Sequence, residues 1–362
     1  MRFSRLAACF FLVCGSAPAF CQPPGRPPRG GGRPPMRQAR QPSVDAPKAD
    51  QVVTQEPAAI QWFATLSRGL EEAERTGKPI LFVSGNPSCA GVSGMWCPGK
   101  GKIDSTYLHQ PEVIDASKNF VCIRLTAYED ESERQFMSKL VMGQVSNTAF
   151  AILKPDGTPA VKNKGTGKGP GGLFIDGAEM AKGMDRIAAN YKPKEVEGTP
   201  ALPITLNAKV GMVVAAADNQ PLALVIAQSE QRRKELEEHL AKVAWSDPIR
   251  GRFVYASAER MQELAKVDGE ALTDGYVLIE PDMFGSGGKI IRAIPGDTDI
   301  EGISTAMSEA SKNFVPFDKS RQKLAELGLK NGIFYETGIP VSGPGEAADR
   351  ERYFERLKST GK

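Results

Sequence analysis

Residues 69–83 read GLEEAERTGKPILFV and residues 211–225 read GMVVAAADNQPLALV, and the two stretches align without a gap. Each begins with a glycine, continues as a helical segment, and ends in a proline followed by a short continuous apolar run. Such a run is typical of a strand that is covered on both faces of a sheet. The alignment therefore predicts that a helix followed by a buried strand occurs twice in this chain.

Two further matches follow in the same order along the chain. Residues 120–121 (FV) correspond to residues 253–254 (FV), and residues 150–156 (FAILKPD) correspond to residues 276–282 (YVLIEPD). Helical patterns lie between the strands, for instance around residues 112–117 and 131–140 in the first copy. Alternating helices and buried strands indicate an α/β fold, present here in two copies. In the second copy we also expect a hairpin around residues 284–288 and a last helix near residues 300–312.

The N-terminal residues have the pattern of an export signal. Arg2 and Arg5 precede an apolar run over residues 6–13, and small residues follow as far as Ala19. The run is shorter than the roughly 20 apolar residues that span a bilayer. We therefore expect residues 1–19 to be a signal peptide that is cleaved after Ala19, and the protein to be extracytoplasmic, either periplasmic or secreted.

Composition and punctuation divide the rest of the chain. With 41% hydrophobic and 25% charged residues, 362 residues can form two ordinary cores. Residues 20–55 are rich in Pro, Gly and Arg and are predicted to form a disordered, solvated tether, either a spacer or a contact with an anionic surface. We predict domains at 56–192 and 206–317, a linker at 193–205 and a helical tail at 318–362. The formal net charge is only +3, so no nucleic-acid partner is expected.

A family resemblance rests on five short motifs of the first copy. They are residues 77–81 (GKPIL), 96–98 (WCP), 110–113 (QPEV), 119–121 (NFV) and 155–157 (PDG). In order and spacing, the segment from about 60 to 165 resembles the exported thioredoxin-like proteins that carry a Trp-Cys-x-x-Cys loop. The resemblance implies two tandem thioredoxin-like domains, each with a central mixed sheet flanked by helices. It also implies thiol–disulfide exchange with protein thiols or disulfides, without a cofactor or metal.

This sequence departs from the family pattern at two places. Cys89 and Cys97 are separated by seven residues instead of two, and Lys100 stands where the second cysteine of the usual motif belongs. An insertion between strand and helix explains the longer spacing. Thr148 occupies the position at which the family has a cis-proline that presents backbone to the substrate. Both departures concern the site, whereas the fold motifs are intact.

Four interpretations of Cys89 and Cys97 stay open. In the first, they form a structural disulfide that closes a small loop in an exported protein. In the second, they form a redox site, either a labile disulfide or a reactive Cys97 whose thiolate is favoured by the nearby Lys100 and Lys102. A third interpretation adds Met95 and His109 as further ligands of a metal, and a fourth leaves the two thiols free and without function. The corresponding functions are an extracytoplasmic thiol–disulfide oxidoreductase, and a redox-inactive module that binds an extracytoplasmic protein.

Outside the predicted signal peptide, two further cysteines and a histidine give secondary expectations. Cys122 lies within a strand pattern and is predicted to be a buried, inert thiol. Cys21 lies in the tether, where it can form an intermolecular disulfide. His109 precedes a Gln-Pro pair, and we expect an exposed loop residue there, with a catalytic base beside Cys97 as the alternative. The second copy contains no cysteine, which excludes thiol chemistry from it.

Overall fold

Two mixed β-sheets flanked by helices form the part of the chain that the structure, a computed structural model, describes: residues 59–85, 107–126, 130–141, 148–161, 169–264 and 266–317. Both sheets belong to one compact unit. The helices are α1 (Leu66–Thr76), α2 (Pro111–Ala116), α3 (Glu131–Val141), α4 (Gly177–Ala188), α5 (Ala208–Asp218), α6 (Glu230–Ala244) and α7 (Ile300–Asn313). The strands are β1 (Ile80–Gly85), β2 (Val121–Thr126), β3 (Thr148–Leu153), β4 (Leu222–Ala227), β5 (Val254–Ala258), β6 (Val267–Asp268), β7 (Asp274–Pro281) and β8 (Gly288–Pro295).

The first sheet has the strand order β2-β1-β3, with β1 parallel to β2 and antiparallel to β3. Its central strand is apolar on both faces. Leu81 and Val83 pack with side chains of α2 and α4, whereas Ile80 and Phe82 pack with side chains of α1 and α3. The continuous apolar run therefore reflects burial by helices on both sides, as the sequence predicts.

The second sheet has the order β5-β4-β7-β8-β6 and repeats the arrangement of the first. Strand β4 is parallel to β5 and antiparallel to β7, and β8 extends the sheet as a hairpin with β7. Helices α6 and α7 cover one face, and α5 covers the other. The predicted hairpin and last helix are confirmed, the helix ending at Asn313.

The register of the strands follows the internal alignment residue by residue. In the first sheet Ile80, the residue after the proline that both copies share, pairs with Val121 and with Leu153. In the second sheet the aligned residue makes the two corresponding pairs, Leu222 with Val254 and Leu222 with Ile279. The sequence repeat is therefore a repeat of backbone pairing as well as of composition.

One predicted helix begins later than expected. The apolar spacing over residues 62–73 suggests a single helix, but the structure starts α1 at Leu66. Phe63 is extended and pairs with β2, since its N–H donates to the Cys122 carbonyl (2.8 Å) and its carbonyl accepts from Arg124 N–H (2.9 Å). The sequence Gly77-Lys78-Pro79 predicts the end of this helix, and Gly77 does end α1 in the left-handed conformation.

Both copies need a glycine where their first helix crosses a parallel strand. A Cβ atom added to Gly69 would lie 2.4 Å from Ile123 Cγ1, and one added to Gly211 would lie 2.9 Å from Ala256 Cβ. The strand residues differ, Ile123 in one copy and Ala256 in the other, but in both copies the helix approaches the strand at the same aligned position.

We expect Gly69→Ala to destabilise the protein by about 1–3 kcal/mol, because Ile123 is fully buried and cannot move aside freely. In an Ile123→Ala background the clashing atoms are gone, so the same change should be neutral or stabilising, as alanine favours a helix over glycine. Urea unfolding of the four proteins in this cycle measures the coupling. Equal effects of Gly69→Ala in both backgrounds would contradict the close approach.

The two sheets are joined by contacts that involve the segment before α1. The Phe63 ring lies 5.2 Å from the ring of Trp245, and Gln61 Oε1 accepts a hydrogen bond from the N–H of Gly251 (2.9 Å). From α1, Arg68 donates to Glu237 Oε2 at 3.0 Å and to the Leu202 carbonyl at 2.9 Å. We call this set of contacts the junction.

Candidate functional site

The cysteine loop departs from the end of β1. The last residue of that strand, Gly85, pairs with Thr148, the first residue of β3. Cys89, Cys97, Lys100, Lys102 and Met95 all lie in the segment 86–106, outside the residues that the structure describes. The structure therefore fixes where this loop begins and which backbone lies opposite its origin.

Thr148 takes the place at which the resemblance expects a cis-proline. Within the described ranges no peptide bond is cis. The neighbouring residue Ala149 donates its N–H to the buried hydroxyl of Ser84 (3.1 Å). The start of β3 is therefore paired with β1 through ordinary strand contacts, reinforced by a side-chain hydrogen bond.

The chain re-enters the described part in a short 3₁₀ helix, Tyr107–His109. The Tyr107 hydroxyl contacts the carbonyl oxygens of Phe174 (3.0 Å) and Ile175 (2.8 Å), and Leu108 is buried. Partial burial, together with the nearby carboxylates of Asp176 and Glu179, raises the pKa of Tyr107. This segment is thereby attached to the turn that precedes α4.

His109 differs from its expected environment. The sequence predicts an exposed loop residue, but His109 is half-buried at the end of the 3₁₀ helix and lines a cleft at the junction. Leu108 of the same 3₁₀ helix and Asp218 and Gln220 of the second half line the same cleft. The role of His109 as a base for Cys97 stays a prediction.

The cleft is narrow and partly polar. A water-sized sphere can occupy about 30 Å³ of it, enough for one or two water molecules. Its wall comprises residues from the segment before α1 and from both halves: Ala59, Ile60, Trp62, Leu108, His109, Arg124, Asp218 and Gln220. A cleft of this size does not hold a nucleotide or another large cofactor.

A buried ion pair forms one side of the cleft. Arg124 on β2 and Asp218 at the end of α5 are in direct contact, with only 8% and 6% of their side chains exposed. The Arg124 guanidinium lies 5.7 Å from the centre of the Trp62 ring. Asp218 Oδ2 contacts Arg124, whereas Asp218 Oδ1 is buried without a hydrogen-bond partner. The pair connects the two halves and was not anticipated from sequence.

Cys122 is buried, as the sequence predicts. Cys122 belongs to β2, and its buried thiol is 3.6 Å from the Ser117 carbonyl oxygen. Burial raises the pKa of this thiol to about 12, which keeps it protonated at neutral pH. A protonated, inaccessible thiol is a poor nucleophile, so Cys122 is a core residue.

An ion pair occupies the corresponding edge of the second half. Ala227 pairs with Asp274 there, as Gly85 pairs with Thr148 in the first half. Arg232 on α6 binds the Asp274 carboxylate through Nε (3.0 Å) and Nη2 (3.0 Å). This pairing lowers the pKa of Asp274. A bidentate ion pair therefore occupies the position where the first half has the origin of its cysteine loop.

The length of the connection also distinguishes the halves. In the second half only Gln228 and Ser229 separate β4 from α6, and the Ser229 side chain caps the helix by accepting from Arg232 N–H. In the first half, residues 86–106 separate β1 from the next described residue. The comparison agrees with an insertion before the helix of the first copy.

No protein-family model matches the chain, and a search of curated proteins finds no match. In the described ranges no helix has the length and apolar character required to cross a membrane. Over the same ranges, no three His, Cys, Asp or Glu residues are grouped so that they can hold a metal ion. Function must therefore be argued from the chain itself.

Proposed function

We propose that this chain is an extracytoplasmic protein with two tandem thioredoxin-like domains, and that its first half exchanges thiols and disulfides with other proteins through Cys89 and Cys97. The observation that carries the proposal is the origin of the cysteine loop at Gly85, opposite Thr148. Cys89 is four residues beyond Gly85, so the covalent chain keeps their Cα atoms within about 14 Å. The loop therefore starts beside the backbone that such proteins use to bind substrates.

The topology of both sheets supports the proposal. A parallel β-α-β unit followed by an antiparallel strand, as in β4, α6, β5 and β7, agrees with the fold that the resemblance implies. The identical register in the two sheets, and the same close approach at Gly69 and Gly211, are expected if both halves are copies of one domain.

The proposed reaction needs one nucleophilic thiolate and one resolving thiol. Positive charge from Lys100 and Lys102 favours the thiolate of Cys97. This thiolate attacks a disulfide of the partner protein, forms a mixed disulfide and releases one partner thiolate. Cys89 then attacks Cys97 Sγ, which releases the second partner thiolate. The partner gains two electrons and becomes a dithiol, while Cys89 and Cys97 lose two electrons and become a disulfide.

A second function is favoured by two specific observations. Thr148 stands in place of the cis-proline, and the Arg232–Asp274 pair closes the corresponding edge of the second half. Both suit a redox-inactive module that binds an extracytoplasmic protein, with Cys89–Cys97 as a structural disulfide. In either case the second half acts as a structural or binding domain.

The reduction potential of the Cys89/Cys97 pair separates these functions. The protein is recovered from the extracytoplasmic fraction, where its N-terminal peptide should begin at Phe20. We expect the Cys89/Cys97 pair to have a reduction potential between about −270 and −120 mV, the range of exchange catalysts. Mass spectrometry of alkylated protein in glutathione buffers measures it. A potential below about −300 mV would mark a structural disulfide and reject exchange.

Single cysteine variants give an independent readout of the same proposal. Cys89→Ser should accumulate a mixed disulfide at Cys97 when treated with oxidised glutathione, because the resolving thiol is absent. Cys122→Ser is the matched control, since its thiol is buried. If neither Cys89→Ser nor Cys97→Ser accumulates more glutathione adduct than the control, the pair is not an exchange site.

The Arg-rich segment before the first domain extends this proposal. Residues 20–55 lie outside the described residues, and their sequence has the composition of a tether. We propose that it separates the domains from the membrane or wall and makes electrostatic contact with an anionic surface there. Such contact should weaken as the salt concentration rises, and unchanged retention on anionic vesicles in high salt would reject it.

A further inference from the structure

A buried carboxyl group of a neighbouring helix caps the start of α1 through a hydrogen bond. Glu133 belongs to α3, and its residue is only 3% exposed. Oε1 accepts the N–H of Leu66, the first residue of α1, at 2.8 Å. Thr65, which precedes that helix, makes no side-chain capping bond, so the cap comes from α3. One hydrogen bond therefore links two helices on the same face of the sheet.

The other polar atoms at this position are unsatisfied. Glu133 Oε2 is buried without a hydrogen-bond partner, and so is the Thr65 hydroxyl oxygen. A buried carboxylate is costly unless its charge is paired or fully hydrogen-bonded. Here the ionised form would have one backbone donor for two oxygens. The geometry therefore favours the protonated carboxyl group when α3 is docked.

The surrounding charges act in the same direction. Burial, which has the largest effect, and the nearby charge of Asp130 together raise the pKa of Glu133 from an ordinary 4.5 to about 7, against the lowering effect of the Leu66 hydrogen bond. Helix α1 contributes a backbone N–H to the group, and Asp130, the residue before α3, contributes a negative charge. Among the described residues, these are the electrostatic influences that determine its pKa.

Helix α3 has only a small apolar contact with the sheet to oppose this cost. Phe136, Met137 and Leu140 pack against the core beneath α1, and the Phe136 ring meets the Phe82 ring at 5.5 Å. Most other positions of this helix are at least partly exposed. A local opening of α3 that brings Glu133 into water is therefore easier than unfolding of the whole domain.

We propose that the contact between Glu133 and the start of α1 is a pH-operated latch. When Glu133 is protonated, α3 stays docked on the sheet; when it is ionised, the buried charge favours an open state in which α3 is detached. The next element after α3 is β3, so the latch acts on the helix that precedes β3. The inference does not depend on the proposed function.

The sign of the pH dependence follows from proton binding. The docked state has the higher pKa and binds more protons than the open state, so docking is strongest below about pH 4.5. It weakens as the pH rises through about 7 and then levels off. Between pH 5 and pH 8 we expect opening of α3 to become more frequent by on the order of 50-fold.

Hydrogen exchange measured by mass spectrometry tests the latch in the full-length protein. At each pH, the exchange rate of α3 amides in the wild type is compared with the rate in Glu133→Gln. Taking this ratio cancels the intrinsic pH dependence of amide exchange, which is the same in both proteins. Glutamine retains the acceptor for Leu66 and carries no charge. The wild type should lose protection in α3 by about 50-fold relative to this variant, while α6 should keep its protection. The exposed Glu131→Gln is the matched control and should behave as the wild type.

Three outcomes would overturn the latch. These are identical pH profiles for the wild type and Glu133→Gln, loss of the effect in Glu131→Gln as well, or equal loss of protection in α6. If Glu133→Gln does not fold, Asp130→Asn decides the question. It preserves the acceptor that caps α3 at Glu133 N–H but removes a charge that raises the Glu133 pKa, so the midpoint should move to lower pH. An unmoved midpoint contradicts the proposal.

Discussion

Gly251→Ala should unfold or severely destabilise the protein, with a loss of more than about 4 kcal/mol. Gly251 has a φ of 73°, and a Cβ atom there would lie 1.8 Å from the carbonyl oxygen of Ala59. This neighbour is backbone, so no side-chain rotation relieves the clash. Gly251 also accepts from Gln220 and donates to Gln61, so displacement breaks two hydrogen bonds at the junction.

Gly198→Ala separates the clash from the cost of the backbone conformation. Gly198 has a similar φ of 89°, but an added Cβ would have no atom within 4 Å. Its cost should therefore be only about 1–2 kcal/mol, that of an alanine in a left-handed conformation. Urea unfolding of both variants gives the comparison. Equal losses for the two would show that Ala59 does not approach Gly251 this closely.

The second large effect concerns the buried pair at the junction. Removing one charge leaves the other buried without compensation, so Arg124→Met and Asp218→Leu should each cost about 3–5 kcal/mol. Replacing both residues removes both charges from the core. The double variant should therefore be more stable than either single variant, because apolar side chains of similar volume replace a pair that already contains one unsatisfied oxygen.

Equilibrium unfolding of the four proteins measures the coupling between Arg124 and Asp218. The exposed pair Arg134 and Glu131 provides a matched reference, for which Arg134→Met should cost less than about 1 kcal/mol. Additive losses in the double variant would mean that the two charges do not compensate each other. Arg124 and Asp218 would then not be energetically coupled in the folded protein.

The strands were predictable because each is a continuous apolar run bounded by breakers. Their register was also accessible, since the alignment of the two copies makes Ile80 equivalent to Leu222 and the structure pairs both in the same way. The start of α1 was not, because apolar spacing alone cannot distinguish a helix from an extended segment. Pairing of Phe63 with β2 decides that question, and it depends on a partner distant in sequence.

The polar features of the junction were largely hidden from sequence analysis. Arg124 and Asp218 are separated by 94 positions, and neither lies in a recognisable motif. A partial signal existed, because Arg124 lies in a strand and Asp218 in a helix whose other residues are mainly apolar. Arg232 and Asp274 gave no such signal, since both look like surface residues in the sequence. Only the strand register shows that their pairing occupies the edge equivalent to Gly85 and Thr148.

The repeated register has a consequence for assembly of the chain. Because β1 and β4 pair with their neighbours in the same way, the backbone alone would permit a strand of one half to enter the sheet of the other during folding. Side-chain volume opposes this exchange: the position of Cys122 in β2 is held by Tyr255 in β5, and that of Ile123 by Ala256. A sheet with exchanged strands would be overpacked at the first of these positions and would contain a cavity at the second. These packing defects favour pairing of each strand within its own half.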